Sequence, residues 1–175
     1  QTVSGRQGAG PGPTLPVHHA VSTPQPMSSP SAFIPILPLA RRCHGAGGRA
    51  LLVGGAVRDM LLERHGVAPG VASRGPEPLD LDVEVHGIGA EPLEAILARL
   101  GTVNLVGKAF SVWRTHLDGV DVDVSLPRRD SRVRPGHRGI RAVGDPHLGL
   151  VEAARRRDLT LNAIAFDPLT GELVD

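Results

Sequence analysis

Hydrophobic residues in this chain follow two different periods, and the switches between them outline the fold. From Leu79 to His86 the alternation is strict, with Leu79, Leu81, Val83 and Val85 on one side and Asp80, Asp82, Glu84 and His86 on the other. A period of two is the mark of a strand with one buried face. The stretch Val120–Leu126 repeats it, alternating Val120, Val122, Val124 and Leu126 with Asp121, Asp123 and Ser125. Its predecessor Phe110–Leu117 is separated from it by Asp118-Gly119, a dipeptide suited to a two-residue hairpin turn. Helical spacing takes over at Ala56–Arg64 (Val57, Met60, Leu61) and at Pro92–Leu100 (Leu93, Ile96, Leu97, Leu100), the latter stopped by Gly101.

Shorter signals fill in the rest. Arg49–Val53 reads as a buried strand and Thr102–Val106 as a short one. Residues 33–44 predict a short helix with Ile36, Leu37 and Leu39 on the core, ended by the glycines between 45 and 48. Leu150–Ala165 reads as mostly helical, and 166–175 as a turn joining two short extended pieces. Residues 65–78 are Gly/Pro-rich loop, and 127–148, with no period, read as a mobile arginine-rich loop. The sum is an α+β domain: a small mixed or antiparallel sheet backed by helices.

Composition sets the boundaries of that domain. Residues 1–30 are rich in Gly, Pro, Ser and Thr with no hydrophobic period, so they read as a disordered extension, leaving 31–175 as one domain. The chain opens on Gln1, and Met27 is a candidate start. Cys43 is the only cysteine, which excludes an internal disulfide and a cysteine zinc cluster. No apolar run approaches the ~20 residues that span a bilayer, and Ala32–Ala40, broken by Pro35 and Pro38, does not read as a signal peptide. A cytoplasmic location without membrane contact is expected. Aromatic residues are scarce, so the core is aliphatic and a stacking platform for single-stranded RNA is not expected.

Charge is uneven. The net charge is +1, yet residues 128–157 hold nine arginines against Asp130, Asp145 and Glu152, leaving the remainder acidic. A basic segment beside a carboxylate-bearing strand suits an anionic substrate held partly through metal; a solvated loop is the plain alternative.

The chemistry concentrates between Leu51 and Val85. An apolar strand breaks at Gly54-Gly55 and restarts as a helix carrying Arg58 and Asp59. The glycines permit positive φ and leave room for a ligand, the free N–H groups at the helix start attract anions, and Arg58 lies one turn in, with Asp59 able to orient it. Such a turn is more often only a tight connection, and a lone D-x-D is more often a polar sheet face. The second reading weakens because Asp121 and Asp123 form another acidic row. If the two strands are neighbours, three or four carboxylates share one surface, an arrangement that calls for Mg2+ or, in its place, Mn2+.

Taken together, LVGGAVRD, DLDVEV, DVDVSLPR and RRDLTLNAIAF, in this order, resemble the nucleotidyltransferase head domain of bacterial tRNA CCA-adding enzymes and poly(A) polymerases, within the DNA polymerase beta superfamily. The resemblance covers about residues 36–175. It implies that Asp80 and Asp82 hold metal, that Asp123 is the third catalytic carboxylate, and that Gly54, Gly55, Arg58, Arg157, Asp158 and Asn162 contact the nucleotide. Residues 129–142 match a flexible loop involved in switching between nucleotides. One departure is Ala153-Ala154, where family members often carry an acidic residue upstream of R-R-D; Glu152 is adjacent. The family's base-selecting neck, and the body and tail that grip tRNA, lie beyond the head, so the sequence reads as cut off before them.

The expected activity is therefore metal-dependent addition of CMP and AMP, from CTP and ATP, to tRNA 3′ ends. A poly(A) polymerase or A-adding enzyme is the alternative within the same chemistry. A non-catalytic nucleotide-binding remnant and a structural RNA-binding module are alternatives outside it. Oligomeric state is left open.

Overall fold

The computed structural model describes residues 31–67, 80–107, 112–132 and 140–175. The extension 1–30, most of the Gly/Pro-rich loop and the tip of the arginine-rich segment lie outside the described residues. In chain order the elements are a 3-10 turn (Ser31–Ile36), α1 (Leu37–Gly45), β1 (Arg49–Val53), α2 (Gly55–Arg64), β2 (Leu81–His86) and α3 (Ala90–Ala98). Then come β3 (Val103–Gly107), β4 (Val112–Leu117), β5 (Val120–Ser125), β6 (Arg128–Arg132), β7 (Ile140–Gly144) and α4 (Leu150–Ala154). A 3-10 turn (Thr160–Asn162), β8 (Ala165–Phe166) and β9 (Leu173–Val174) complete the chain.

Seven strands form one sheet in the order β3-β4-β5-β2-β1-β8-β9. Every pairing is antiparallel except β2 with β5, which run parallel. The α+β expectation of a mixed sheet backed by helices therefore holds. The hairpin forms at Asp118-Gly119, whose φ values of 46° and 85° are the left-handed pair a tight hairpin turn requires.

The two sheet faces are covered unequally. Alternation buries Leu81, Val83 and Val85 of β2 with Val122 and Val124 of β5, under Phe33, Ile36, Leu39, Leu93 and Leu97 from the helical side. Phe33 and Phe166 meet there with ring centroids 5.8 Å apart. Leu37, expected on the core, is only half-buried, whereas Ile36 and Leu39 are buried. Cys43 is buried in this layer, and burial pushes its thiol up to about 11. On the opposite face the apolar cluster is small: Leu51, Val53 and Ala165, with Leu150 and Val174 packed against it.

Two expectations are corrected. Residues 128–132 and 140–144 pair as a separate two-stranded antiparallel sheet rather than forming loop throughout. Polar and charged residues there hide the alternation that usually announces a strand, and inter-strand backbone pairing proceeds without it. The stretch 150–165 is not one helix: α4 ends at Ala154, and a turn, a 3-10 turn and β8 follow. Arg156 and Arg157 leave the helical path to meet Glu84, and the Asp158 carboxylate accepts the Leu159 N–H, a local bond that competes with helix. Among the described residues no helix is long and apolar enough to cross a membrane.

Candidate active site

The site grows from the sparsely covered face. In β1 paired with β2, Val53 faces Asp82 and Leu51 faces Glu84. In the parallel β2–β5 pair, Asp82 stands opposite Asp123, and in the β4–β5 hairpin Asp123 stands opposite Arg114. Asp82, Asp123 and Arg114 thus form one row across three strands, with Asp80 just before β2. The two acidic strands, whose adjacency the sequence left as a condition, do lie side by side, although Asp80 precedes the strand instead of lying within it.

Gly54 closes the end of this row. Its backbone (φ 77°, ψ −147°) is open to glycine and hostile to other residues, and a Cβ there would stand 3.0 Å from Asp82 Oδ2. Asp82 is exposed as a residue, yet its carboxylate leans toward this turn. Its carboxyl is held above the ordinary range, first by burial and then by the charges of Asp80 and Asp123, which Arg157 and Arg114 offset only in part.

Arg58 folds back over the first turn of α2: a Cβ at Gly55 would lie 3.4 Å from its Nη2. Its Nε donates to Asp59 Oδ1 at 2.9 Å, the orienting contact expected, and its Nη1 donates to Asn162 Oδ1 at 3.2 Å. Two residues of separate motifs, 104 positions apart, thereby meet. Arg157 lies across the sheet face, donating from Nη2 to Glu84 Oε2 at 3.3 Å. Asp158 is exposed and is not drawn into this cluster; its carboxylate caps the following turn.

The donor set suits a hard divalent cation: Asp80, Asp82 and Asp123 offer only oxygens, and crowding of like charge on Asp82 is what a cation would relieve. In the present geometry the carboxylates do not converge, and among the described residues no three acidic, His or Cys side chains stand close enough to hold one ion. The third carboxylate is occupied by protein: Arg114 grips Asp123 with two bonds, Nε to Oδ1 and Nη2 to Oδ2, each 2.7 Å. Sequence reasoning passed over Arg114, yet counting outward from Asp118-Gly119 sets it opposite Asp123. It also passed over Glu84, whose burial nothing local announces.

Comparison with known proteins gives the family. Residues 50–175 match the family model described as "Poly A polymerase head domain". The chain belongs to that family. Among its relatives, the "Multifunctional CCA protein" of Xanthomonas euvesicatoria is 37% identical over 124 residues, covering 71% of this chain and 26% of the relative. The "CCA-adding enzyme" of Streptococcus pyogenes is 31% identical over 153 residues, covering 85% of this chain and 32% of the relative. The chain thus spans about a quarter to a third of these relatives' length.

Solved structures concur. The Bacillus stearothermophilus CCA-adding enzyme in complex with CTP superposes with a TM-score of 0.59 at 26% identity, covering 83% of this chain and 30% of that one. A tRNA nucleotidyltransferase complexed with a primer tRNA and an incoming ATP analog gives 0.52 at 28% identity, covering 78% of this chain and 34% of that one.

Proposed function

We propose that this chain is the catalytic head of a metal-dependent nucleotidyltransferase that adds CMP and AMP, from CTP and ATP, to tRNA 3′ ends in CCA addition or repair. Family membership supports the chemistry, and relatives named for CCA addition, with solved structures described with CTP, an ATP analog and tRNA, support the substrates. The single observation that carries the reading is the row Asp82–Asp123 across a parallel strand pair, closed by a glycine that admits close approach.

In this reading Asp80 and Asp82 hold the metal. Divalent cations there, Mg2+ foremost, would neutralise charge on the attacking and leaving oxygens of an in-line displacement. Asp123 accepts the proton of the RNA 3′-hydroxyl as that oxygen attacks the α-phosphorus and the bond to pyrophosphate breaks. Arg114 holds each Asp123 oxygen by one bond and leaves each a second lone pair for that proton. Gly54 and Gly55 admit the triphosphate beside the start of α2, Arg58 and Arg157 counter its charge, and Asn162 keeps Arg58 aimed. Guanidinium forks suit pyrophosphate oxygens better than a lysine point charge.

The test is ATP and CTP binding with and without Mg2+, in the wild type and in Asp80→Asn/Asp82→Asn, followed by extension of a tRNA lacking its 3′ end. Metal-dependent binding lost in the double variant is expected. Metal-independent binding that survives the substitutions would leave a nucleotide-binding remnant, and a long A-only product would favour the poly(A) alternative.

A further inference from the structure

The strongest feature that the proposed chemistry leaves unused lies two residues beyond Asp82 on the same face. Glu84 is a carboxylate in the central strand, only 3% exposed, and burial alone would oppose its ionisation. It is surrounded by donors. His86 Nε2 lies 3.1 Å from Oε1, and Oε2 is shared between Arg156 Nη2 at 3.1 Å and Arg157 Nη2 at 3.3 Å. His86 is itself anchored, with Nδ1 3.3 Å from the Leu148 carbonyl oxygen. The network therefore binds the segment from Leu148 to Arg157 onto β2.

The manner of the binding is informative. A guanidinium carries five N–H donors and fits a carboxylate through two parallel bonds, as Arg114 does with Asp123. Glu84 instead takes one nitrogen from each of two arginines. One negative charge faces two guanidiniums through one nitrogen of each, and the Arg157 side chain keeps 17% of its surface open. Arg156 Nε is buried with no hydrogen-bond partner among the described residues, so that nitrogen is shut off from a ligand. The Arg157 guanidinium makes no other hydrogen bond among the described residues, and its charge reaches Asp82 next door. Arg157 is placed but not consumed.

We infer that Glu84 is a positioning residue: by a single contact to Arg157, with Arg156 closing the other side of its carboxylate, it fixes the Arg157 guanidinium beside the carboxylate row with its remaining donors free for the phosphates of a bound nucleoside triphosphate. The inference rests on the reading of Arg157 as a nucleotide contact. Its distinctive content is that a buried carboxylate, itself too enclosed to touch substrate, sets the affinity for an anion.

The test is a double-mutant cycle on the 175-residue chain, reading the Kd for ATP in the presence of Mg2+ by calorimetry well below the melting temperature of each variant. Glu84→Gln keeps the shape and removes the charge; Arg157→Ala removes the proposed contact. Each alone is expected to weaken ATP about tenfold, and the double variant no more than Arg157→Ala alone, because contacting residues are non-additive. If Arg157→Ala weakens ATP and Glu84→Gln does not, or if the two losses simply add, Glu84 is structural and the inference fails while the site reading stands. If Arg157→Ala leaves ATP binding unchanged, the reading of Arg157 fails and takes the inference with it. Should Glu84→Gln melt too early to assay, Glu84→Asp, which withdraws the carboxylate by one methylene, is run in the same cycle. A loss that vanishes in the Arg157→Ala background supports the inference, and an unchanged affinity overturns it.

Discussion

Asp82 and Glu84 stand two residues apart in one strand, on one face, and the protein treats them in opposite ways. Asp82 is exposed as a residue, yet partial burial of its carboxyl, and then the like charges of Asp80 and Asp123, push that carboxyl above the ordinary range. Glu84 is buried, and although burial opposes its ionisation, the hydrogen bond from His86 and the charge of Arg157 outweigh it and hold the carboxyl below the ordinary range. The difference follows from cover: the segment from Leu148 to Arg157 hydrogen-bonds to Glu84 and His86, whereas only the charge of Arg157 reaches Asp82. One carboxylate is left with an electrostatic deficit that a ligand can relieve. The other has its deficit relieved by the protein, and so serves as an anchor.

The sharpest way to break this contrast is to neutralise the open carboxylate. Asp82→Asn is expected to lower nucleotide transfer to an RNA 3′ end by about a hundredfold or more, measured as single-turnover extension, while the chain stays folded. The converse change, Glu84→Leu, leaves two guanidiniums without their counter-charge and should cost about 2–4 kcal/mol in urea unfolding. If Glu84→Leu were neutral and Asp82→Asn unfolded the chain, the assigned roles would be reversed.

Gly54→Ala tests the close approach at the edge of the row. A side chain at that φ, with its Cβ 3.0 Å from Asp82 Oδ2, should cost about 1–3 kcal/mol and weaken Mg2+-dependent ATP binding with it.

The subtlest test is the pH dependence of stability. For Asp82 the folded-state pKa is raised, so stability falls as pH climbs from the ordinary aspartate value through the raised one. Asp82→Asn should therefore melt at the same temperature as wild type in acid, and above it near neutrality when no divalent ion is present. For Glu84 the folded-state pKa is lowered, so its stabilisation is complete above the ordinary glutamate value and disappears as pH drops through the lowered one. Melting curves of Asp82→Asn and Glu84→Gln against pH should diverge from wild type in opposite directions.

Much of this could be read from residues alone. The paired periods of β2 and β5, the Asp118-Gly119 turn, the glycine break after β1 and the inward face of α3 are local, because backbone geometry forces the period of two or 3.6 on whatever face is buried. The link between Arg58 and Asp59 is equally local. Where charged residues replaced the alternation, as in β6 and β7, the local signal vanished and the strands went unseen.

The sequence by itself determined that four motifs exist and that Asp82 and Asp123 each lie on an alternating strand. Only the tertiary structure decided that Asp123 lies opposite Asp82, because a parallel pairing joins strands separated by a helix and two further strands, and no local spacing encodes its register. It also decided that Glu84, indistinguishable from Asp82 by alternation, lies beneath a covering segment. Burial depends on what packs from a distance, and that separates an anchor from a site.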